Sequence, residues 1–170
     1  MSIEVYVSVG RPFSKEQEHL IATVEAHLHS SGLKPRTVGR NGYNYREPLR
    51  AIHNMMKRCS GALVIALERV TIKSGAERWR APDEVILQNV TLATPWNQIE
   101  AALAYARRIP ILVLREKTVK EEGILETRHD WYVHPIDMSG AFMNSSEFAD
   151  IYDAWCRDVR RRAGQTSLRE

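Results

Sequence analysis

The sequence predicts a single α/β domain over residues 1–170, in which a parallel sheet carries helices on both faces. Strand-like and helix-like segments alternate along the chain, which is typical of a parallel sheet with crossover helices. Residues 61–67 (GALVIAL) and 109–114 (IPILVL) are nearly continuous apolar runs, the composition of strands buried on both faces. No repeat, low-complexity segment or linker divides the chain.

The composition excludes several classes of protein. The 170 residues are 44% hydrophobic and 26% charged, with a formal net charge of +3, which excludes intrinsic disorder. No apolar run approaches the ~18 residues of a membrane span, and the start MSIEVYVSVG has no secretory signal pattern. Two cysteines are too few for a disulfide framework. We therefore expect a reduced, cytoplasmic protein with no membrane partner.

The basic residues do not indicate a nucleic-acid partner. Four arginines cluster near the C-terminus, in a predicted last helix, where cations suit the helix dipole. No aromatic RNA-binding motif and no zinc-finger spacing accompanies them. We expect them to act at the helix end and to aid solubility.

The first half of the chain gives clear local signals. Residues 3–9 (IEVYVSV) alternate and are β-branched, which predicts a strand. After a loop at 10–13, Ser14 with Gln17 matches a capping box and predicts the start of a helix. That helix is expected to end before Gly32.

A short strand near 35–38, a loop at 39–45 (GRNGYNY) and a helix from 48 to about 58 are expected next. The apolar run at 61–67 then predicts a buried strand. The polar stretch 68–93 is too long for an ordinary connection, so it predicts a functional loop or a small insertion.

Thr94 and Pro95 form an N-cap followed by proline at the first helical position, which predicts a helix over 96–107. Strands are expected at 109–114 and, more weakly, at 131–134. The last helix is marked by an apolar stripe made of Phe148, Ile151, Tyr152, Trp155 and Val159. Five strand–helix units indicate a flavodoxin-like order, 2-1-3-4-5.

In such open sheets, ligands bind beyond the carboxyl ends of the strands. Three segments are expected to meet there: the loop at 10–13, the loop at 39–45, and the stretch 68–93 that leads into the helix with Trp96 and Glu100. Familiar nucleotide fingerprints are absent, since the chain has neither GxGxxG nor GxxxxGK[ST], and no GxSxG elbow. No histidine–cysteine pattern predicts a metal site or a cofactor.

Glu100 is the strongest candidate for chemistry. It lies in the second turn of a helix that begins at the predicted ligand edge. A solvated helix glutamate is one interpretation. The other is that neighbouring alanines let the helix pack close to the sheet, so that the carboxylate is partly desolvated and its pKa is raised. Such a carboxylate suits cleavage at an anomeric carbon, because it stabilises or traps an oxocarbenium-like cation.

Two families carry similar residues. Glu100 followed by AALAYA, then Pro110 and ILVL, resembles the Glu-x-x-x-Ala-x-Ala…Pro pattern of nucleoside 2-deoxyribosyltransferases, as does the opening VYVSVGRPFS. In that family the glutamate attacks the sugar. Equally, Trp96 with Glu100 four residues later is similar to the Trp…Glu pairing of TIR domains, whose enzymatic members use the glutamate to cleave NAD. CSGALVIALERV resembles the strand before that loop in both families.

The resemblance covers most of the chain and implies cleavage of an N-glycosidic bond. The first reading is a TIR-type NAD glycohydrolase or ADP-ribosyl cyclase or transferase, with NAD as substrate and a nucleotide signal in antiviral defence. The alternatives are a nucleoside 2-deoxyribosyltransferase or nucleoside or nucleotide N-glycosidase, and a TIR-like assembly module without catalysis. The long stretch 68–93 departs from the compact Asp-x-Gly-Thr approach expected in a transferase.

These readings give one set of candidate residues and partners. Glu100 is the predicted catalytic residue. The partners expected are a nucleotide or nucleoside, a second copy of the chain in a homo-oligomer, and a separate effector protein. The predicted substrate-binding residues are Gly10, Arg11, Phe13, Tyr43, Tyr45, Arg46, Trp96 and Asn97.

Overall fold

The computed structural model describes residues 2–38, 48–127 and 130–167, and the elements below belong to these ranges. The order along the chain confirms the predicted alternation of strands and helices. The elements are β1 (Ile3–Val9), α1 (Lys15–Ser30), β2 (Leu33–Arg36), α2 (Pro48–Met56), β3 (Gly61–Ala66), β4 (Val70–Glu77), β5 (Val85–Leu92), α3 (Pro95–Ala106), β6 (Ile111–Glu116), β7 (Tyr132–Ile136) and α4 (Ser146–Ser167).

The central sheet of the described residues has the strand order β2-β1-β3-β6-β7, and all its neighbours pair in parallel. This is the flavodoxin-like order predicted from the sequence, with β6 and β7 in the fourth and fifth places. The register pairs Val5 with Gly61 and Ala62 with Ile111, so β3 lies at the centre. Its burial is complete from end to end, as the apolar run predicted.

The two helix starts predicted from side-chain capping are confirmed. The Ser14 hydroxyl accepts a hydrogen bond from the backbone N–H of Gln17 at 3.2 Å, which caps α1. The Thr94 hydroxyl accepts one from the backbone N–H of Trp96 at 3.4 Å, and Pro95 follows in the first helical position of α3. Side-chain capping and proline placement are local signals, so the sequence alone locates them.

Two strands lie about two residues away from their predicted positions, because pairing with a neighbouring strand sets where each one begins. The apolar run at 109–114 begins before the sheet does, because the backbone N–H of Ile109 bonds back to the Ala104 carbonyl at 3.0 Å and closes α3. Pairing with β3 starts only at Ile111. Similarly, β2 begins at Leu33, which pairs with Ile3, and not at the predicted residue 35.

The polar stretch 68–93 is an inserted hairpin. Its strands β4 and β5 are antiparallel, and Val70 pairs with Leu92 at the base. The insertion expected from the length of this stretch is therefore confirmed, and its form is a β-arm. Lys120 ties the arm to the segment after β6, since its backbone N–H bonds the Thr91 carbonyl at 2.8 Å and its Nζ bonds Glu77 at 2.7 Å.

The two faces of the sheet bury different kinds of side chain. The face covered by α1 and α4 packs large residues, among them Leu20, Leu28, Phe148, Tyr152 and Trp155. The face covered by α2 and α3 packs against small residues of the strands and helix, namely Ala62, Ala66, Ala101 and Ala104. The second face therefore brings a helix close to the sheet, and this is the helix that carries Glu100.

Candidate active site

Glu100 lies where α3 packs against the central strands. The helix starts at the carboxyl edge of the sheet, and Glu100 is in its second turn. Ala101 and Ala104 are buried beside it and allow close approach to the sheet. The Glu100 side chain is 9% exposed, so the alternative of a solvated helix glutamate does not describe it.

Two hydroxyls from β1 lie on the Glu100 side of the sheet. Tyr6 and Ser8 are two residues apart on the strand, so both point to the face that α3 covers. Both hydroxyls act on the ionisation of Glu100. Burial raises the pKa of Glu100 above its ordinary value of 4.5, and the two hydroxyls oppose that rise by stabilising the ionised form.

Tyr6 stays protonated beside this carboxylate. It is 1% exposed, and burial together with the nearby Glu100 carboxylate raises the pKa of the phenol far above its ordinary value. Cys59 acts on Tyr6 in the same direction. Burial also raises the pKa of the Cys59 thiol to about 12, which makes it an inert core residue.

Asn97, one turn before Glu100, reaches the same strand. Its side chain is 1% exposed, and its Nδ2 donates to Ser8 Oγ at 2.9 Å and to the Ser8 carbonyl at 3.3 Å. Residues three apart on a helix share a face, so Asn97 and Glu100 both point toward β1. Of the predicted site residues, these two lie on one face of α3, and Asn97 is hydrogen-bonded to Ser8.

The loops at the carboxyl edge are joined by hydrogen bonds. The Gln17 side chain accepts from the backbone N–H of Phe13 at 3.2 Å and donates to the Glu68 carbonyl at 3.0 Å. The Glu116 carboxylate, at the end of β6, accepts from the backbone N–H of Glu68 at 2.8 Å. The loop after β1 is therefore fixed to the base of the hairpin and to the end of β6.

Four further predicted site residues, Gly10, Arg11, Phe13 and Trp96, lie among the described residues at this edge. A Cβ added at Gly10 would lie 3.3 Å from Thr94 Cγ2, so the loop after β1 passes close to the start of α3. Arg11 is exposed, Phe13 is 60% exposed and Trp96 is 41% exposed. These positions leave their side chains open to a ligand, and their roles stay predictions. Tyr43, Tyr45 and Arg46 lie outside the described residues.

Sequence reasoning missed Tyr6 and Ser8 as partners of Glu100. A signal was present, because the alternation in IEVYVSV puts Tyr6 and Ser8 on one face and Val5 and Val7 on the other. Polar residues facing inward on a buried strand need hydrogen-bond partners. What the sequence did not show is which helix supplies them.

A cavity of about 480 Å³ opens at the opposite edge of the sheet, near the end of α3. It is lined by residues that include Tyr105, Arg108, Trp131 and Arg161, and Glu100 is not among them. Within the described ranges, no cluster of His, Cys, Asp or Glu could hold a metal ion. No helix in those ranges is long and apolar enough to cross a membrane.

The arrangement is that of a partly desolvated carboxylate on the side of a parallel sheet that bears two neutral hydroxyls, in a helix that begins at the ligand edge. An ionised carboxylate in such a place stabilises positive charge more strongly than it would in water. The chemistry that it suits develops positive charge on a carbon next to oxygen, as at the anomeric carbon of a sugar.

Comparison with known proteins supports the fold. The structure is similar to that of the CMP N-glycosidase BcmB of Clostridium botulinum, with a TM-score of 0.50, 14% sequence identity, and coverage of 83% of this chain and 96% of that one. It also matches a conserved protein from Enterococcus faecalis V583, with a TM-score of 0.49 and 12% identity, over 95% of this chain and 99% of that one. No protein-family model and no curated protein matches the chain. These findings do not single out the TIR family.

Proposed function

We propose that this protein is an N-glycosidase that acts on a nucleotide or nucleoside, with Glu100 as its catalytic residue. The observation that carries the proposal is the buried Glu100 carboxylate, which lies in the second turn of a helix on the ligand edge, on the side of the sheet that bears the Tyr6 and Ser8 hydroxyls. The fold likeness to a CMP N-glycosidase supports the class of reaction.

In the proposed reaction, the bond between C1′ of the sugar and the base nitrogen breaks, and the base leaves with the bonding electrons. The sugar becomes an oxocarbenium-like cation, which the Glu100 carboxylate stabilises or traps until water adds at C1′. Water supplies the hydroxyl of the sugar product, and its remaining proton balances the departing base. The hydroxyls of Ser8 and Tyr6 favour the ionised carboxylate and so oppose the rise in the Glu100 pKa that burial causes.

For the substrate we favour a nucleoside 5′-monophosphate, because a pyrimidine monophosphate is named for the similar structure. The exposed Arg11 in the loop after β1 is the candidate to bind the phosphate, since a guanidinium fork matches phosphate oxygens. The exposed ring of Phe13 in the same loop is the candidate to stack on the base.

NAD cleavage is the second candidate activity. It rests on the Trp96 to Glu100 spacing, and α3 keeps both residues in its first two turns with the Trp96 ring 41% exposed. The two activities differ in the leaving group. Nicotinamide leaves NAD without needing a proton, whereas an ordinary base usually needs a proton donor.

The test is a panel of substrates assayed for free base: nucleosides, their 5′-monophosphates, 2′-deoxynucleotides and NAD. We expect release from a nucleoside monophosphate by the wild-type protein, and a loss of about 10²–10⁴-fold in kcat for Glu100→Gln. Glu18→Gln removes an exposed carboxylate of α1 and is the matched control with unchanged turnover. Preferential release of nicotinamide would favour the second candidate.

Thermal unfolding separates loss of chemistry from loss of folding. Because burial raises the pKa of Glu100, its ionised form destabilises the protein above that raised pKa, and the destabilisation fades as the pH falls toward 4.5. Glu100→Gln should therefore have an equal or higher Tm at pH 7. Unchanged base release by the folded variant would refute the catalytic assignment.

A further inference from the structure

We infer that the cavity at the amino edge of the sheet is a second binding site, which takes a nucleotide whose base carries an amino group. The cavity has a volume of about 480 Å³, within the range of pockets that hold small molecules. It lies between the end of α3 and the start of β6, and Glu100 is not among its lining residues. The inference is therefore independent of the proposed N-glycosidase activity.

Arg108, on the wall of this cavity, has a backbone conformation that favours glycine. Its φ is +54°, in the left-handed region, directly after the end of α3. Its backbone N–H donates to the Tyr105 carbonyl at 2.8 Å, and the N–H of Ile109 donates to the Ala104 carbonyl at 3.0 Å. These two bonds form the Schellman ending of a helix, in which glycine is the usual residue at the position that Arg108 occupies.

The strain at Arg108 is matched by a role for its side chain in the cavity. An arginine in the left-handed region destabilises the helix end relative to glycine, so stability does not explain this residue. Arg108 is exposed and lines the cavity. In the part of the chain that the structure describes, its guanidinium has no hydrogen-bond or ion-pair partner. Strained backbone of this kind is concentrated at ligand-binding sites.

Positive charge is concentrated around Arg108. Arg161 of α4 also lines the cavity, and its Nη2 lies 2.7 Å from Asp158 in an exposed pair that contributes little to stability. Arg162 donates from Nη1 to the Arg108 carbonyl at 2.9 Å. Burial and the nearby Arg107 guanidinium lower the pKa of Arg162, so like charges lie close together here. A phosphate bound by Arg108 and Arg161 offsets this repulsion, because guanidinium forks match phosphate oxygens.

An aromatic pair lines the same cavity. The rings of Tyr105 and Trp131 meet edge to face, with their centroids 5.4 Å apart. The Trp131 Nε1 donates to the Ile124 carbonyl at 3.0 Å, which fixes the indole, and Tyr105 is 53% exposed. Aromatic rings beside guanidinium groups are suited to bind a base by stacking and its phosphate by charge.

Asp130 supplies a hydrogen-bond acceptor for the base. Its carboxylate lines the cavity and accepts from the Tyr105 hydroxyl at 3.5 Å, which leaves further lone pairs. A carboxylate accepts from the amino group of cytosine, adenine or guanine, whereas uracil has no amino group. The lining residues therefore favour CMP, AMP or GMP over UMP, and over inorganic phosphate, which has no base to stack.

The experiment follows the indole N–H signals of the four tryptophans by NMR during titration with CMP, AMP, UMP, cytidine and inorganic phosphate. Glu100→Gln protein is used throughout, so that no nucleotide is consumed, and Trp131→Phe and Trp96→Phe assign the two signals of interest. We expect CMP and AMP to shift the Trp131 signal in a saturable way, and the other three compounds to shift it more weakly. The signal of Trp79, between β4 and β5, should not move.

Substitutions in the cavity test the role of each group. Arg108→Gly should weaken CMP binding by about tenfold or more, while its Tm stays equal to or above that of the parent protein. Arg161→Ala should also weaken CMP binding, and Asp130→Ala should remove the preference for CMP over UMP. Arg80→Gly is the matched control, because Arg80 has a φ of +65° in the inserted hairpin and does not line the cavity. It should leave CMP binding unchanged.

A Trp131 signal that no nucleotide shifts would overturn the inference, as would CMP binding that is the same in Arg108→Gly and Arg161→Ala as in the parent protein. Should Arg108→Gly fail to fold, Arg161→Ala and Asp130→Ala decide the matter. A shift confined to Trp96 would assign the binding to the carboxyl edge and overturn the second site. A wild-type protein that releases no base from any substrate would instead refute the proposed function, and the NMR result would stand.

Discussion

The two faces of the central sheet differ in how many polar side chains they bury. The face under α1 and α4 is filled by aromatic and branched side chains, with Trp155 1% exposed against the strands. The face under α2 and α3 uses alanines, and it buries the polar groups of Tyr6, Asn97 and Glu100. The first face is packed with large aromatic and branched side chains, and the second buries a carboxylate that destabilises the fold at neutral pH.

The comparison shows how a domain of this size can tolerate a buried charge. Hydrophobic burial on the first face raises the free energy of unfolding, which offsets the cost of the buried carboxylate on the second face. Substitutions on the two faces should therefore separate: those under α4 reduce stability and leave the site intact, whereas those at Glu100 remove chemistry and leave stability equal or higher. The first two predictions below test whether substitutions under α4 reduce stability alone. The third tests how a buried histidine makes stability depend on pH.

The largest effect is expected for Trp155→Ala in α4. Trp155 is fully buried, and its Nε1 donates to the Pro110 carbonyl at 3.1 Å. Its removal leaves a cavity and one hydrogen bond fewer to the Pro110 carbonyl, which keeps the bond from the backbone N–H of Ala62 at 2.9 Å. The free energy of unfolding should therefore fall by about 3–5 kcal/mol. Urea denaturation measures the change. The remaining folded protein should keep its kcat, and a loss of kcat at full folding would break the proposed division between the faces.

A smaller effect is expected where α4 crosses the start of β3. A Cβ at Gly61 would lie 2.6 Å from Val159 Cγ2 and 3.1 Å from Trp155 Cζ2, so this glycine sets the distance between helix and strand. Gly61→Ala should lower the free energy of unfolding by about 1–3 kcal/mol through overpacking.

Gly164, later in α4, is the control for Gly61. A Cβ there meets no atom within 4 Å, so Gly164→Ala should leave stability unchanged or raise it by up to about 1 kcal/mol through helix propensity. Equal destabilisation by the two alanines would show that the effect at Gly61 does not come from its contacts with Val159 and Trp155.

The smallest effect concerns pH. His134 on β7 is 5% exposed, close to the rings of Phe142 and Phe148, and burial lowers its pKa below the ordinary 6.5. Glu147 opposes that shift and Lys117 adds to it. As the pH falls below about 6.5, the unfolded chain binds the proton first, so stability decreases until the lowered pKa is passed.

His134→Leu should reduce this dependence of stability on pH. Unfolding in urea at pH 7 and at pH 5 measures the difference in each protein, and we expect a smaller difference for the variant. Because Glu100 titrates with the opposite sign, the double variant with Glu100→Gln separates the two contributions. A pH dependence that is identical in wild type and His134→Leu would assign the acid sensitivity to other groups.

Much of the fold could be predicted because its signals are local. The alternation in residues 3–9, the caps at Ser14 and Thr94, and the apolar run of β3 each depend on a few neighbouring residues. The edges of β2 and β6 could not, because they are set by pairing with strands far along the chain.

The site could be predicted only in part. Glu100 follows from its helix and its alanine neighbours, whereas its partners Tyr6 and Ser8 depend on which face of β1 the helix α3 covers. The stretch 68–93 was expected as an insertion, but its pairing as a hairpin depends on cross-strand contacts such as Ile72 with Val90. Long-range pairing is the information that a single sequence states least directly.

The inserted hairpin leaves and rejoins the domain at neighbouring positions, where Val70 pairs with Leu92 and the Arg69 N–H bonds the Leu92 carbonyl. We therefore expect a change in the length of its distal end to leave the start of α3 and the position of Glu100 unchanged. Ala81–Pro82, between β4 and β5, is the place at which a peptide tag or a fluorescent label can be grafted.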